Sequence, residues 1–369
     1  MILFSVVLLV PLVFVMLAYY LSREFVWQEL LIVVGIQLVI AGTAACICYS
    51  ANTSDIETWD GFVTKKEKVW TSCEHSYQCH CHQVCSGSGK NRSCSEECDT
   101  CYEHTNDWDW KVYMSMGGDD VDIDRVDRRG SDEPPRWTSV HVGEPASVQH
   151  SYTNYIKAAP DTLFRHQGLE EKYKTSIPAY PSVIYDYYRH DHLVQIGTNI
   201  PDPKYWNADL AHLNGDLGSP RQSNIMVVLV NNKPDDYYDA LEEAWIGGKK
   251  NDVILVVSID NTGAPQWARV MAWTTNPIFK VKLRDAIMAM PVIERWTVMD
   301  ALRTNIVAYH KRKPMADFEY LKASITPSTS EWILTLIIGL ISAFGLTWYF
   351  AVNEVFPSSN PYETRSRYY

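Results

Sequence analysis

Basic residues are scarce in this sequence of 369 residues, where 33 Lys and Arg face 44 Asp and Glu and the formal net charge is -11. A protein that binds nucleic acid or an anionic lipid surface needs a surplus of positive charge to attract the phosphates. The composition therefore disfavours nucleic acid as a partner.

Complete catalytic motifs are also lacking. The run Gly87-Ser88-Gly89-Lys90 continues with Asn91 and has no upstream glycine, so it does not fit a phosphate-binding loop. The sequence contains neither the G-x-S-x-G elbow of hydrolases nor the H-E-x-x-H pair of metalloproteases. These absences favour a non-enzymatic protein over an enzyme.

Long apolar runs are present, and they predict three transmembrane helices at Met1–Leu21, Leu30–Tyr49 and Trp332–Val352. About 20 apolar residues suffice to cross a hydrocarbon core of about 30 Å. The first run has no basic residues before it and no small-residue cleavage site after it, which favours a span over a cleaved signal. The sequence thus predicts an integral, multi-pass membrane protein with the lipid bilayer as a partner.

Small residues within these runs indicate how the helices pack. Gly35 and Gly42 in the second run would let it approach the first closely, so we expect a helical hairpin. Gly339 and Gly345 could play the same part in the third run.

Arginines indicate the orientation of the chain. Arg23 follows the first run, and Arg365 and Arg367 lie in the polar tail of residues 353–369. Positive residues flanking spans favour the cytoplasmic side. With three spans, the large region between the second and third runs is then extracytoplasmic.

Seven of the nine cysteines cluster in a Cys/His-rich subdomain predicted for residues 50–106. They are Cys73, Cys79, Cys81, Cys85, Cys94, Cys98 and Cys101, and His75, His80, His82 and His104 are interleaved with them. A small, loop-rich segment cannot bury enough apolar surface to be stable and requires cross-links. An extracytoplasmic location favours three disulfides with one cysteine left over. The alternative is zinc held by the pair Cys98 and Cys101 with an upstream pair such as Cys79 and His82.

The region of residues 107–200 is expected to be rich in β-structure but irregular. The alternation in Trp108–Met114 predicts a half-buried strand. The acidic stretch that follows, from Asp119 to Glu133, lacks the glycine and terminal glutamate of a calcium loop, so a solvated loop is favoured over a calcium site. His190 and His192 would share one strand face, for which exposure to water is favoured over metal binding.

A regular α/β pattern extends over residues 203–322. Two uninterrupted apolar runs, Ile225–Val230 and Val253–Val257, predict strands covered on both faces. The other predicted elements are helices at Trp206–Leu213, Asp235–Trp245, Phe279–Met290 and Ile293–His310 and a third strand at Gln266–Trp273.

Residues 224–322 resemble the TPM domain, a family of membrane-tethered α/β domains. The residues that carry the resemblance are Tyr237-Tyr238-Asp239-Ala240-Leu241, Trp245-Ile246-Gly247, Lys249-Lys250-Asn251, the strand Val253–Val257 and Asp285-Ala286-Ile287. The resemblance implies an α/β sandwich followed by a membrane helix. It also implies either phosphatase activity or an accessory role in the assembly of membrane complexes.

The sequence departs from the family at two places. Asp252 stands where many members have glycine, and Trp273–Pro277 replaces a glycine-rich acidic tip. The missing tip weakens the enzymatic interpretation. Asp235, Asp236 and Asp252 could still gather at one edge of the sheet as a cation site, although an N-cap role for Asp235 is the simpler interpretation.

The favoured overall interpretation is a non-enzymatic membrane accessory or structural protein that combines α and β elements. Its extracytoplasmic domain is expected to bind a protein partner or a second copy of the chain, without a cofactor. The alternatives are a divalent-cation-dependent phosphatase of TPM type, with its cation at Asp235, Asp236 and Asp252, and a zinc-binding recognition module in the cysteine cluster.

Overall fold

The computed structural model describes residues 10–22, 27–87, 92–116, 120–159, 163 and 169–353. The chain forms two compact units, one of residues 1–56, 151–167 and 314–369 and the other of residues 57–150 and 168–313. The described α-helices are α1 (Val10–Ser22), α2 (Trp27–Thr53), α3 (Pro135–Thr138), α4 (Leu169–Tyr173), α5 (Pro203–Arg221), α6 (Asp236–Ala244), α7 (Ile278–Met288), α8 (Arg295–Tyr309) and α9 (Thr329–Asn353). A 3₁₀ helix spans Met315–Ser324.

The described strands form four sheets. They are β1 (Ser54–Ser72), β2 (Ser76–Ser86), β3 (Ser93–Tyr102), β4 (Asn106–Met114), β5 (Asp120–Ile123), β6 (Pro145–Thr153), β7 (Ile184–Tyr185), β8 (Arg189–His190), β9 (Leu193–Ile196), β10 (Asn224–Asn231), β11 (Asp252–Ile259) and β12 (Pro265–Ala272). Their orders are β5-β4-β1-β6, β12-β11-β10-β9, β2-β3 and β7-β8.

Two helices of the first unit, α2 and α9, are long and apolar enough to cross a membrane. They agree with the second and third predicted spans. The first predicted span lies partly outside the described residues, and its described part is α1 with 13 residues. Arg23, Arg365 and Arg367 also lie outside the described residues, so the three-span topology stays a prediction.

The three helices pack through a small apolar cluster of Val15, Val33, Ala343 and Phe350. Gln37, a polar residue in the middle of α2, is buried and donates a hydrogen bond of 2.8 Å to the Ser342 hydroxyl of α9. In lipid, where apolar surfaces gain little by meeting each other, such hydrogen bonds help to hold helices together.

Close helix approach occurs at Gly339, where a Cβ atom would lie 2.8 Å from Cγ of Pro11 in α1. A Cβ added at Gly35, Gly42 or Gly345 would meet none of the described atoms within 4 Å. Among the described residues, these three glycines therefore do not mark close helix contacts.

The predicted boundary between the Cys/His-rich subdomain and the β-rich region does not separate two folding units. Strand β1 pairs in antiparallel fashion with β4, from Val63 opposite Met114 to Ser72 opposite Asn106. Their sheet buries one apolar cluster of Val63, Trp110, Val112, Met114, Ile123, Val140, Ala146, Val148 and Tyr188. Most of the segment before Cys73 thus belongs to this sheet.

The α/β part is a three-layer arrangement around β9-β10-β11-β12. Strands β9, β10 and β11 are parallel and β12 is antiparallel, so the sheet begins at Leu193 rather than after residue 203. Helices α5, α7 and α8 cover one face, and α6 covers the other. All residues of β11 are buried, as the uninterrupted apolar run predicts.

Helix α5 continues through Asn214 and Gly215, where the sequence predicted its end. Asn214 is buried, and its side-chain amide donates to the carbonyl of Ile225 at 2.8 Å while its oxygen accepts from the Ile225 N–H at 2.6 Å. Gly215 leaves room for the ring of Phe62, which a Cβ atom there would overlap. These tertiary contacts outweigh the weak helix propensity of Asn and Gly.

Candidate functional site: a disulfide ribbon and the cluster at its base

The cysteine cluster forms a two-stranded antiparallel ribbon of β2 and β3, which we call the disulfide ribbon. Its three cross-links are Cys79–Cys101, Cys81–Cys98 and Cys85–Cys94, with Cα–Cα separations of 5.8, 4.0 and 4.0 Å. Three disulfides with Cys73 left over confirm that prediction. The expected loop-rich subdomain is instead a pair of antiparallel strands. In this pair, Cys85 stands directly opposite Cys94.

The zinc site considered for Cys98 and Cys101 is not formed in this arrangement. Both sulfurs are bonded to other cysteines, and a disulfide sulfur is not the thiolate that zinc binds. Of the upstream pair, Cys79 is the disulfide partner of Cys101, and His82 is exposed on the ribbon.

The disulfide ribbon adds nothing to the described hydrophobic clusters. Of its 21 residues, 17 are exposed and none is buried. Tyr77 and Tyr102 keep 51% and 58% of their surface accessible to solvent. Strand β3 also presents the exposed acids Glu96, Glu97 and Asp99. An isolated two-stranded hairpin is marginally stable in water. The disulfides therefore supply the stability that the ribbon does not gain from burial.

Four potential metal ligands converge at the base of the ribbon. Cys73 and His75 lie where β1 passes into β2, and His104 and Asp107 lie where β3 passes into β4. The Cys73 Sγ atom is 4.0 Å from Nδ1 of His75, which is 3.5 Å from Oδ2 of Asp107. Nε2 of His104 contacts Oδ1 of Asp107. We call these four residues the base cluster.

Asp107 is the centre of the base cluster, and its side chain is fully buried. Its Oδ2 atom accepts a 2.9 Å hydrogen bond from the backbone N–H of Glu74 and lies 3.4 Å from the Arg125 guanidinium. Burial raises the pKa of this carboxyl, but the Glu74 hydrogen bond, His104 and Arg125 together outweigh it, and the pKa is lowered. Asp107 is therefore a carboxylate at neutral pH.

The sequence interpretation placed Cys73, His75 and His104 in the cysteine cluster but missed Asp107 and Arg125. A Cys-x-His pair and a His-x-x-Asp pair at the two ends of a hairpin are the signal that indicates the site. It becomes visible only when β1 and β4 are recognised as partners.

The three acidic residues proposed as a cation site are not brought together. Asp252 begins β11 opposite Asn224, the first residue of β10, whereas Asp235 and Asp236 follow the opposite end of β10. At about 3.3 Å per strand residue, the two ends are more than 20 Å apart. Asp235 occupies the N-cap position of α6 but makes no capping hydrogen bond with its side chain.

Each of these acids has its own partner. Asp235 lies 3.1 Å from Arg269, and Asp236 accepts hydrogen bonds from Lys172 and Tyr173. Asp252 is buried and accepts from the Lys249 N–H at 2.6 Å.

Two further donors reach Asp252, the Tyr180 hydroxyl at 2.7 Å and the Asn224 amide at 3.0 Å. Burial nevertheless raises the pKa of Asp252 to about 6. Its environment is that of a structural carboxyl, which ties the loop before β11 to the starts of two strands.

In the acidic stretch, for which a solvated loop was favoured over a calcium site, several carboxylates have protein partners. Asp120 and Asp122 lie 2.6 and 3.3 Å from Nζ of Lys111. Asp127 accepts from the backbone N–H groups of its own turn, including Asp132 at 2.6 Å. Residues 117–119 lie outside the described part of the chain.

The expectation that His190 and His192 face water is wrong. Both are buried; His190 ends the short strand β8, and His192 lies in the link between β8 and β9. Nε2 of His192 lies 3.2 Å from Oδ1 of Asp60, which also accepts from the Ser147 hydroxyl at 2.6 Å. Burial and the neighbouring His192 lower the pKa of His190. The two imidazole rings also contact each other edge to face, with their centroids 4.6 Å apart.

No protein-family model, no curated protein and no solved structure matches this chain. The resemblance to the TPM domain therefore stays a prediction from the sequence.

Proposed function

We propose that this protein is a non-enzymatic, multi-pass membrane accessory or structural protein that binds a protein partner through its disulfide ribbon on the extracytoplasmic side. The observation that carries this proposal is that the ribbon is covalently stiffened yet contributes no side chain to the described core. Because the disulfides do not hold together a hydrophobic core, we infer that they keep the exposed surface of the ribbon rigid for a partner.

The disulfides also support the location and the binding role. Structural disulfides persist in oxidising compartments, outside the cytoplasm. A surface that is rigid before it meets its partner loses less conformational entropy on binding. Two exposed tyrosines, Tyr77 and Tyr102, supply the aromatic contact area that interfaces favour.

The partner is expected to carry a basic surface, since Glu96, Glu97 and Asp99 lie exposed along β3. No observation on the described residues favours the phosphatase alternative, because the acids that would hold its cation lie at opposite ends of the sheet. The membrane-tethered accessory role that the TPM resemblance implies agrees with the same proposal.

Site-specific photocrosslinking in intact cells tests this function. A photoreactive phenylalanine at position 77 or 102 of the full-length protein should give one discrete adduct, and its yield should fall as the salt concentration rises. In the matched control, the photoreactive phenylalanine replaces Trp296, an α8 residue that is 67% exposed. An adduct of twice the chain mass indicates self-association. The proposal fails if neither ribbon position gives an adduct, or if position 296 gives the same one.

A further inference from the structure

We propose that the base cluster binds one Zn²⁺ ion through Cys73, His75, His104 and Asp107. Each residue offers one ligand atom, and the four atoms all lie within 4.8 Å of one another. The site is separate from the ribbon cysteines that form disulfides. It would make the metal a cross-link between the chain entering the ribbon and the chain leaving it.

The ligand chemistry fits zinc. Structural zinc sites are tetrahedral and take thiolate, imidazole and carboxylate ligands at about 2.0–2.3 Å, which places neighbouring ligand atoms about 3.3–3.7 Å apart. The 4.0 Å between Cys73 Sγ and His75 Nδ1 is close to those values, and Nε2 of His104 contacts Oδ1 of Asp107. Small side-chain rotations complete the tetrahedron. A thiolate and a carboxylate together balance the two positive charges of the ion.

The surroundings of Asp107 orient it for this role. Its Oδ2 atom is held by the Glu74 N–H and by Arg125, which leaves Oδ1 directed at His104. Outer partners of this kind commonly fix the ligands of metal sites. Arg125 also pairs with the carboxylate of Asp109, which offsets its positive charge near the ion. On binding, His104 exchanges its hydrogen bond with Asp107 for a bond to the metal.

The simpler interpretation is a buried hydrogen-bond network beside an inert thiol. Two observations go beyond it. Cys73 stays unpaired at the end of a segment in which six other cysteines form disulfides. In addition, the four ligand atoms come from two separate chain segments, which meet next to the last pair of the β1–β4 ladder, Ser72 opposite Asn106.

Cobalt substitution in the full-length protein tests the site. The protein is purified in detergent without reductant, with Cys46→Ser and Cys48→Ser so that Cys73 is the only free thiol. After treatment with a chelator, Co²⁺ is titrated in. One equivalent should produce the visible absorption of tetrahedral Co²⁺ and a near-ultraviolet sulfur-to-cobalt charge-transfer band, and Zn²⁺ should displace both. Absence of the charge-transfer band at one equivalent would overturn the proposal.

Variants locate the metal. Cys73→Ser should lose the charge-transfer band, and Asp107→Asn should weaken Co²⁺ binding at least about tenfold. His82→Asn, at an exposed ribbon histidine outside the cluster, should bind as the parent does. A charge-transfer band that persists in Cys73→Ser would contradict the assignment.

A measurement on the parent protein covers the case in which the variants do not fold. Alkylation of Cys73 by iodoacetamide should be at least about tenfold slower with Zn²⁺ than with Mg²⁺ at the same concentration, because a metal-bound thiolate is a poor nucleophile. Equal rates would contradict zinc binding. These readouts do not depend on partner binding, so the proposed function can fail while the metal site stands.

Discussion

The disulfide ribbon and the α/β sheet of the same unit are stable for different reasons. The sheet buries every residue of β11 and all but the last residue of β10, whereas the ribbon buries none of its 21 residues and carries three disulfides. Burial stabilises in proportion to the apolar area removed from water, and a disulfide stabilises mainly by restricting the unfolded chain. A region stabilised by disulfides, such as the ribbon, can therefore keep both of its faces free for contact.

Breaking the sheet should have the largest effect. Val256→Asp places a carboxylate among fully buried residues, at a cost of several kcal/mol against a typical stability of about 5–15 kcal/mol. We expect the detergent-solubilised protein to lose cooperative thermal unfolding. The matched change Val84→Asp on the ribbon, where the side chain is 39% exposed, should leave unfolding unchanged. Cooperative unfolding of Val256→Asp at the parental temperature would refute the assignment of β11.

Breaking the ribbon should have a local effect. Cys81→Ser with Cys98→Ser removes a cross-link between residues 17 apart, which is worth about 3 kcal/mol in the unfolded-chain model. We expect faster protease cleavage between residues 76 and 102, with the unfolding temperature of the sheet unchanged. Cys46→Ser, at a free cysteine of α2, serves as the control. Loss of the sheet's transition in the double variant would show that the two regions depend on each other.

The pH dependence of the sheet sharpens the comparison. Burial raises the pKa of Asp252 from 3.8 to about 6, so the folded state holds a proton that the unfolded state releases. The resulting stabilisation, about 1–3 kcal/mol, is present below pH 4 and is lost as the pH rises through 6.

Asp252→Asn should remove this component from urea unfolding curves measured between pH 4 and 7. Asp236→Asn should retain it, because that carboxyl has a lowered pKa, chiefly through its hydrogen bond with Lys172. An unchanged pH profile in Asp252→Asn would mean that Asp252 is ionised throughout.

The smallest expected effect on stability is at the ribbon surface. Tyr77→Ala should change the free energy of unfolding by less than about 0.5 kcal/mol, because Tyr77 is 51% exposed and belongs to no described core cluster. The same variant should lower the yield of the adduct formed at position 102. A loss of stability without a loss of crosslinking would give the ribbon a structural role instead.

The sequence predicted the buried central strands correctly, but it did not predict which distant segments pair with each other. Uninterrupted apolar runs predicted β10 and β11, and cysteine density predicted three disulfides. The predicted end of α5 at Asn214 was wrong, because its buried side chain pairs with the backbone of Ile225. Asp235 and Asp252 were expected together, but Asp252 precedes its strand whereas Asp235 follows its strand, and β10 and β11 are parallel.

The base cluster shows the same limit. Cys73 and Asp107 are 34 positions apart, and they meet because β1 and β4 pair over nine residue positions that include Ser72 opposite Asn106. Strand pairing over such distances depends on the whole sheet rather than on local propensity. Local sequence could therefore list the histidines and the thiol but not the carboxylate that joins them.

The most direct test of the account is disulfide mapping of the full-length protein, isolated with its free thiols blocked by an alkylating agent. Its unreduced mass should be about six hydrogens below the reduced mass. Peptides should show Cys79 joined to Cys101, Cys81 to Cys98 and Cys85 to Cys94, with the blocking group on Cys73. Alkylation of all seven cysteines would contradict the rigid ribbon, and a disulfide that includes Cys73 would contradict the proposed metal site.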